Sequence, residues 1–266
     1  MSYLFFDIDN TLLSHKTFTI PQSAMKALWE VKNHGHQLFI ASGRGRNSIL
    51  EYEDPDLFDG SITGSGAHGH YHGNALFNHT FSEEDVIAIS DIAKETGAGL
   101  FVQSDTRSWM SEVGLEVFKR RSGRTEQQIY DMGIRIFHGI PEEPICKMDF
   151  FLPVGIDGEE VYRRFPETVE ICRALSEYKA FPGAELTPKG ISKGTGIREL
   201  IELIGGSMED TYAFGDSDND IEMLKACAVG TAMGNASDMV KQAADYVTAD
   251  IEEDGIYLAL KHFGLF

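Results

Sequence analysis

Short apolar runs alternate with amphipathic segments near the start of the chain. Tyr3–Phe6 is an uninterrupted apolar run, typical of a buried strand, and residues 21–33 have the apolar spacing of a helix. A second apolar run, at residues 38–41, is followed by the polar, glycine-rich residues 42–45. Strand, helix and strand in this order predict a βαβ unit, which is the building block of a parallel sheet.

The same alternation returns in the last third of the chain. The spacing predicts, in turn, a helix at 194–204, a strand at 211–214, a helix at 219–227, a strand at 229–233, a helix at 238–244, a strand at 246–248 and a helix from 255 onward. These elements can extend the sheet that the N-terminal βαβ unit begins. The two ends of the chain are therefore predicted to form one α/β core.

The pattern changes between these two parts. From residue 82 to residue 186 the strands are more widely spaced, and helices at about 83–96, 112–121 and 157–165 separate them. Candidate hinges lie at 78–84 and at 181–190, the second of which carries two prolines and two glycines. We predict an α/β fold, with a doubly wound, Rossmann-like parallel-sheet core formed by residues 1–81 and 187–266. Residues 82–186 are then an inserted α+β domain.

Composition and charge narrow the range of partners. Of the 266 residues, 42% are hydrophobic and 24% are charged, the balance of a folded globular protein. The net charge of −19 argues against binding to nucleic acid or to an anionic membrane surface. The chain has neither a long apolar stretch nor the basic start of a signal peptide. Its three cysteines fit neither a disulfide framework nor a zinc site, so we expect a reduced, cytoplasmic protein.

Two aspartates, Asp7 and Asp9, directly follow the first predicted strand. Residues two apart on an extended chain can leave on the same side, and open α/β sheets bind their ligands at the carboxyl ends of their strands. Two neighbouring carboxylates repel each other unless a cation intervenes, and oxygen ligands suit Mg²⁺. The alternative is that both are solvated residues of a turn.

A second acidic cluster follows the strand predicted at 211–214. It reads Gly-Asp-Ser-Asp-Asn-Asp and includes Asp216, Asn219 and Asp220. Helix capping could account for one such residue, but three aspartates within five positions are costly to crowd without a cation. Two acidic clusters at the ends of two apolar strands therefore favour a metal site.

Two weaker features accompany the carboxylates. Ser42-Gly43-Arg44 after the second predicted strand could bind an anion through its hydroxyl and backbone N–H groups, although it could equally be an ordinary turn. Lys193, just before a predicted helix, could reach a phosphoryl oxygen, although a lone lysine is usually solvated. Neither feature defines a site alone.

Taken in order, these segments resemble the four motifs of the haloacid dehalogenase superfamily. The motifs are Asp7-Ile8-Asp9-Asn10-Thr11-Leu12, then Ser42-Gly43-Arg44, then Lys193, then Gly215-Asp216-Ser217-Asp218-Asn219-Asp220. The insert between the second and third motifs is similar in size to the type-two cap of the Cof-type sugar phosphatases. Asn10 stands where the family most often has glycine. Because asparagine tolerates the left-handed backbone conformation, we expect the turn to survive.

The resemblance implies a magnesium-dependent hydrolase of phosphate monoesters of small metabolites, with sugar phosphates the expected class. By the family pattern, Asp7 would be the nucleophile that forms an aspartyl-phosphate, and Asp9 would be the general acid and base. Mg²⁺ would be held by Asp7, the backbone carbonyl of Asp9 and Asp216, with Asp220 in support. The phosphate-binding residues would be Ser42, Gly43, Lys193 and Asn219.

Two other functions share these features. A phosphotransferase or mutase would form the same intermediate and pass the phosphoryl group to a sugar hydroxyl rather than to water. A non-catalytic module that binds Mg²⁺ and phosphate would need the carboxylates but would have no use for an acid and base at Asp9. The oligomeric state is left open by the sequence.

Two further clusters have plain structural explanations. His68, His70 and His72 could hold a transition metal from one side of a strand, or could lie in a wet hairpin. The basic run 119–121 could steer an anionic substrate, although a solvated helix face is the more usual explanation. We expect the plainer explanation for both.

Overall fold

The computed structural model describes residues 1–173 and 183–266, which form two compact units. The first unit comprises Met1–Arg44, Ser48–Phe77 and Ser192–Phe266. The second comprises residues 45–47 and the described part of Asn78–Ile191. Within the described ranges, none of the helices has the length and apolar character needed to cross a membrane.

The elements of the described chain are numbered here from the N-terminus. The strands are β1 (Tyr3–Phe6), β2 (Gln37–Ala41), β3 (Gly60–Thr63), β4 (His68–Tyr71), β5 (Asn74–Asn78), β6 (Gly99–Gln103), β7 (Ser108–Met110), β8 (Ile134–Ile136), β9 (Lys147–Phe151), β10 (Val169–Arg173), β11 (Gly183–Pro188), β12 (Thr211–Gly215), β13 (Val229–Ala232) and β14 (Tyr246–Val247). The helices are α1 (Gln22–Asn33), α2 (Glu83–Thr96), α3 (Glu112–Ser122), α4 (Glu126–Asp131), α5 (Gly158–Tyr162), α6 (Lys193–Leu203), α7 (Ile221–Ala226), α8 (Asp238–Ala243) and α9 (Gly255–His262).

The first unit is built on one sheet with the strand order β14-β13-β12-β1-β2-β3-β4-β5. The strands from β14 to β3 are parallel to their neighbours, and β4 pairs with β3 in the antiparallel direction. The first strand along the chain therefore lies inside the sheet, between β12 and β2. This confirms the α/β fold with a parallel-sheet core.

Both faces of this sheet are covered, which is why β1 is apolar throughout. Leu4 and Phe6 pack with the side chains of α1 and α9 on one face. Tyr3 and Phe5 point to the other face and pack with α6 and α7. All four residues of the strand are buried, as the alternation of side chains along a doubly covered strand requires. Helices on both faces make the core doubly wound.

The second unit contains a sheet with the strand order β10-β11-β9-β6-β7-β8. Its pairs are antiparallel except for β7 with β8, so the insert is α+β as predicted. Its core includes Leu100, Phe150 and Leu186 from the sheet and Ile89 from α2. Helix α2 ends where Gly97 takes a left-handed φ of 69°, a conformation that glycine adopts without strain.

Several predicted elements differ in detail from the structure. Within the hinge expected at 181–190, Gly183–Pro188 forms β11, so this part is wrong, whereas Lys189 and Gly190 form a turn; Phe181 and Pro182 lie outside the described residues. The helix expected at 157–165 is shorter, since α5 spans Gly158–Tyr162. The helix expected at 219–227 begins instead as a 3₁₀ turn at Asp218–Asp220. The predicted domain boundaries at 82 and 186 remain a prediction.

The histidine segment is a hairpin whose first strand is buried, whereas its turn and most of its second strand are exposed. His68 and His70 lie on β4 and are buried, with 1% and 5% of their surfaces exposed. His72 is outside the strand, in the turn before β5, where its φ is 46°. The prediction that all three histidines alternate along one strand is therefore wrong for His72. Glycines and histidines gave this region too few apolar positions for β3, β4 and β5 to be predicted.

Candidate active site

The strand register brings the first and the last acidic clusters together. Phe6 of β1 lies opposite Phe214 of β12, and the Asp7 N–H continues the ladder by donating to the Phe214 carbonyl at 2.9 Å. Asp7 and Asp216 therefore follow the ends of two adjacent parallel strands. Because such ends meet at one edge of the sheet, two segments more than 200 residues apart can share a site.

A buried lysine joins two of the carboxylates. Lys193 Nζ donates to Asp7 Oδ1 and to Asp220 Oδ1, in both cases at 2.6 Å. Only 1% of the Lys193 side chain is exposed, although lysine is almost never fully buried unless it is paired. The alternative that Lys193 is a solvated surface lysine is therefore wrong, because its side chain is a buried cation paired with two carboxylates.

The start of helix α6 places this lysine. Ser192 caps the helix by accepting the Thr195 N–H, and Thr195 Oγ1 accepts the Ser192 N–H in return, so the first turn is fixed. The next residue, Gly194, lies against the Glu222 carbonyl, which a Cβ at this position would meet at 2.5 Å. Glycine therefore lets α6 approach α7 closely enough for Lys193 to enter the site.

Asp220 is an organising residue of this edge. Its Oδ2 accepts the backbone N–H groups of Asp216 at 3.0 Å and of Ser217 at 2.9 Å, while Oδ1 accepts from Lys193. Gly215 leaves the space that this side chain needs, because a Cβ on Gly215 would lie 2.6 Å from the Asp220 Cβ. Asp220 is fully buried and ties the loop after β12 to the lysine.

The carboxylates of this edge form a group that could hold a cation. Among the described residues, Asp7, Asp216 and Asp220 make up such a group, with one oxygen of each lying within 4.8 Å of the others. Thr11 Oγ1 donates to Asp216 Oδ1 at 2.9 Å and orients that carboxylate. All three donors are hard oxygen atoms, which suit Mg²⁺.

The electrostatics of the group favour a further positive charge. Burial and the neighbouring carboxylates raise the pKa of Asp7 to about 7, against the opposing effect of Lys193. Burial, Asp7 and Asp220 raise the pKa of Asp216 to about 9. Burial alone would lower the pKa of Lys193, but Asp220 and Asp7 raise it, so the lysine stays charged. One ammonium cannot balance three carboxylates, and a divalent cation fits the remainder.

Asp9 lies apart from this group and has its own partners. Arg44 holds its carboxylate in a fork, with Nη2 to Oδ1 at 2.6 Å and Nε to Oδ2 at 2.8 Å. His15 Nε2 lies 2.7 Å from Oδ1. Burial alone would raise the pKa of Asp9, but the hydrogen bonds and charges of Arg44 and His15 lower it below its ordinary value. These two partners therefore favour the ionised form of Asp9.

The remaining predicted residues lie on the surrounding turns. Ser42 is buried after β2, where its Oγ accepts the Arg44 N–H at 3.1 Å, and the half-buried Gly43 lies between them. Asn219 lies in the 3₁₀ turn after β12, and its Oδ1 accepts from Ser217 Oγ at 2.8 Å. Asn10 takes a left-handed φ of 57°, which confirms the expectation for the turn.

Several residues with polar contacts to the predicted carboxylates or their turn, His15 among them, were not predicted as site residues. Thr11 and Arg44 belong to motifs that were recognised, so their polar side chains could have been named as candidates, but the aspartate that each one contacts depends on the tertiary structure. Asn235 donates to the Asn10 carbonyl at 2.9 Å from a segment 225 residues further along the chain. Its contact had no local signal, because it depends on how the C-terminal segment returns to the sheet.

Comparison with known proteins identifies the family. The model of the haloacid dehalogenase-like hydrolases matches residues 4–260, which is nearly the whole chain. The chain belongs to this family. The resemblance drawn from the four motifs is thereby confirmed, and the protein is a hydrolase.

Relatives of this hydrolase are named as phosphatases. YkrA of Bacillus subtilis (strain 168) is 30% identical over 274 residues, covering 98% of this chain and 97% of its own. The 5-amino-6-(5-phospho-D-ribitylamino)uracil phosphatase YcsE of the same bacterium is 44% identical over 262 residues, covering 97% and 94%. A solved subclass IIB sugar phosphatase is 34% identical with a TM-score of 0.85, and the match covers 100% of both chains.

Proposed function

We propose that this hydrolase cleaves phosphate monoesters of small metabolites, sugar phosphates foremost, through a phosphorylated Asp7. The observation that carries the proposal is the arrangement at the edge of the sheet. A buried aspartate bonded to a buried lysine lies beside two more carboxylates, and a separate carboxylate, Asp9, follows two residues later. The pairing of a nucleophile with a nearby acid and base is what phosphoryl transfer through a covalent intermediate requires.

In the first half-reaction, an oxygen of Asp7 attacks phosphorus. The new bond joins that oxygen to phosphorus, and the bond from phosphorus to the leaving oxygen breaks. This step uses the protonated form of Asp9, which the water step of each turnover regenerates; Asp9 gives this proton to the leaving oxygen, so an alcohol departs. Lys193, bonded to Asp7 Oδ1, keeps the nucleophile oriented and adds positive charge near the transferring oxygens.

In the second half-reaction, water attacks the phosphorus on Asp7, and the bond between phosphorus and the Asp7 oxygen breaks. Asp9, now ionised, takes a proton from the water, and inorganic phosphate leaves with Asp7 restored. Arg44 and His15 favour this ionised form of Asp9. Ser42, Gly43 and Asn219 are proposed to contact the phosphoryl oxygens from the neighbouring turns.

The donor set at this edge fits Mg²⁺. Asp7, Asp216 and the backbone carbonyl of Asp9 would hold the ion, and Asp220 would support the loop that carries Asp216. When bound, Mg²⁺ would offset the negative charge of the phosphoryl group as it approaches the carboxylates.

The substrate class is proposed from two relatives. Sugar phosphates are favoured by the full-length similarity to the subclass IIB sugar phosphatase. A second candidate is a ribityl phosphate carrying an aminouracil, because the 44% identical relative is named for that substrate. Both are phosphate esters of polyhydroxy carbon chains. We propose that the α+β insert, predicted at residues 82–186, is the cap that selects between such leaving groups.

The test is a phosphate-release assay of the purified chain with Mg²⁺ at about a hundredfold excess over its Kd. The substrates are sugar phosphates, the aminouracil ribityl phosphate and p-nitrophenyl phosphate. We expect turnover that EDTA removes and Mg²⁺ restores.

Asp7→Asn should abolish turnover while leaving the circular dichroism spectrum unchanged. Full activity of Asp7→Asn, or activity unaffected by EDTA, would contradict the proposal. Release of phosphate to a sugar acceptor in preference to water would instead indicate a phosphotransferase.

We also propose a cytoplasmic location. Cys146 and Cys227 are buried thiols, and burial raises the pKa of each to about 12. Buried, protonated thiols are usual in proteins of a reducing compartment. Fractionation of cells that make the protein tests this proposal, with recovery in the cytosolic fraction as the expected result.

A further inference from the structure

His15 lies beside the proposed general acid without belonging to any of the four motifs. Its Nε2 is 2.7 Å from Asp9 Oδ1, six residues earlier in the chain. Asp9 Oδ1 already accepts a hydrogen bond from Arg44 Nη2, so we assign the imidazole Nε2–H as the donor of this pair. Half of the His15 side chain is exposed, and a third of the Asp9 side chain. The contact therefore lies at the mouth of the site and not in the core.

The loop that carries His15 is held in place by its own hydrogen bonds. The Ser14 N–H donates to the Thr19 carbonyl at 3.1 Å, and the Phe18 N–H donates to the Ser14 carbonyl at 2.8 Å. Ser14 Oγ accepts the N–H groups of Lys16 and Thr17 and is bonded to Glu252 near the C-terminus. These hydrogen bonds fix the backbone on both sides of His15. A side chain held by a fixed backbone can orient the carboxylate of Asp9.

The hydrogen bonds of Asp9 are distributed unequally over its two oxygens. Oδ1 accepts from His15 Nε2 and from Arg44 Nη2, so both of its lone pairs are used. Within the part of the chain that the structure describes, Oδ2 accepts a side-chain hydrogen bond from Arg44 Nε alone. One lone pair of Oδ2 is therefore left for a proton or a reacting group.

We propose that His15 is a positioning residue that makes Asp9 Oδ2 the oxygen through which the catalytic proton passes. The proposal rests on the proposed function, because it assumes that Asp9 protonates the leaving group. By occupying Oδ1 together with Arg44, His15 leaves a single proton-bearing atom and fixes the rotation of the carboxyl group. Without His15 the carboxyl can carry the proton on either oxygen, and only part of the population has the proton facing the substrate.

The experiment compares substrates that differ in their need for an acid. p-Nitrophenolate leaves without protonation, whereas the alkoxide of glycerol 2-phosphate needs a proton as it departs. The quantity to measure is kcat/KM with saturating Mg²⁺, since it reports the steps up to the first irreversible transfer. The variants are His15→Ala, which removes the donor, and His15→Gln, which can keep an N–H donor. His34→Ala is the control, because His34 is also exposed and bonds the Glu30 carbonyl instead.

We expect His15→Ala to lower kcat/KM for glycerol 2-phosphate by about tenfold and to change that for p-nitrophenyl phosphate by less than about twofold. His15→Gln should recover most of the loss, and His34→Ala should match the wild type. In an Asp9→Asn background, His15→Ala should add no further loss, since its effect passes through Asp9.

Equal losses on both substrates, no loss on either, or a full additional loss in the Asp9→Asn background would overturn the role of His15. These outcomes leave the proposed function standing as long as the wild type hydrolyses both esters and Asp9→Asn loses activity on glycerol 2-phosphate. A wild type without phosphatase activity would overturn both proposals together.

Discussion

Lys193 shows how a single side chain can hold a site of like charges together. It is one of the largest fully buried side chains of the described residues, and its ammonium group lies between Asp7 and Asp220. A buried charge is tolerated only when partners replace the water it has lost. The two aspartates therefore stabilise the lysine, and the lysine in turn allows two buried carboxylates to stay close together.

Replacing Lys193 by methionine should unfold the protein more easily. The change leaves the charges of Asp7 and Asp220 buried without their cation, which costs about 3–5 kcal/mol in comparable cases. Urea denaturation at pH 8 measures the free energy of unfolding. Lys225→Met, at an exposed position of α7, is the control and should be near neutral. A Lys193→Met variant as stable as this control would contradict the buried pairing.

The stability deficit of Lys193→Met should also depend on pH. Burial and like charges already raise the pKa of Asp7 to about 7 in the wild type, and loss of the lysine raises it further. A carboxyl whose folded pKa lies above its unfolded pKa destabilises the fold when it is ionised, so the penalty is relieved as the pH falls through that pKa. We expect a smaller deficit at about pH 5.5 than at about pH 8. A deficit that grows on acidification would contradict this sign.

Asp9 should behave differently from Asp7 when it is replaced. Asp9→Asn removes the acid and base but leaves the nucleophile, so turnover of an alkyl phosphate should fall by about 10²–10⁴. The loss in the first step should be smaller for p-nitrophenyl phosphate, whose leaving group needs no proton. Steady-state kinetics on both esters measure the difference. A change below about twofold on the alkyl phosphate would remove the proposed role of Asp9.

At the scale of elements, the site depends on close approach between a strand end and the turn that follows it. Gly215 ends β12, and Asp220 folds back over it so closely that a Cβ would lie 2.6 Å from the aspartate Cβ and Cγ. The backbone there needs no unusual conformation, so glycine is required for space alone. The position of Asp220 sets the position of Lys193.

Gly215→Ala should therefore displace Asp220 and weaken both stability and activity. Overpacking of this kind costs about 1–3 kcal/mol. We expect a lower melting temperature. We also expect a kcat reduced by at least about tenfold, because a displaced Asp220 moves Lys193, which is hydrogen-bonded to Asp7. Thermal denaturation and phosphatase kinetics measure the two effects. A variant with wild-type kcat would show that the site does not depend on this contact.

At the scale of the whole molecule, the acidic cluster links folding to metal binding. Asp7, Asp216 and Asp220 repel one another at the carboxyl edge of the sheet, where the two distant ends of the chain meet. A cation that binds the folded form alone stabilises it by mass action, by about 2.7 kcal/mol at a hundredfold excess over Kd. Binding of the ion thus offsets the repulsion among the three carboxylates and raises the free energy of unfolding.

Mg²⁺ should raise the melting temperature of the wild type by about 5–10 °C at that excess. Asp216→Asn should remove this rise. Without metal it should melt higher than the wild type, because the Asp216 carboxyl, with its pKa raised to about 9, has to take up a proton on folding and the amide does not, while the oxygen that accepts from Thr11 remains. Asp218→Asn is the control, since Asp218 lies in the same turn outside the cation-binding group. Differential scanning calorimetry in EDTA and in Mg²⁺ measures the shifts. An unchanged Mg²⁺ response in Asp216→Asn would contradict the site.

The sequence by itself determined the features that depend on neighbours along the chain. Tyr3–Phe6 is apolar at every position and forms a strand buried on both faces. The alternating strands and helices at both ends of the chain predicted the parallel core, and Asn10 was expected to take the left-handed conformation that it has. These properties follow from side-chain size, period and backbone sterics, which act over a few residues.

Only the tertiary structure decided which charges meet. Lys193 is 186 residues from Asp7, and Arg44 is 35 residues from Asp9, so no local pattern pairs them. Those contacts depend on the register of β1 against β12 and on the packing of α6, both of which are set by the core as a whole. From the sequence alone, a charged side chain such as Lys193 is expected to be solvated. It can be buried only when folding replaces its water with an opposite charge, and that charge comes from a distant part of the chain.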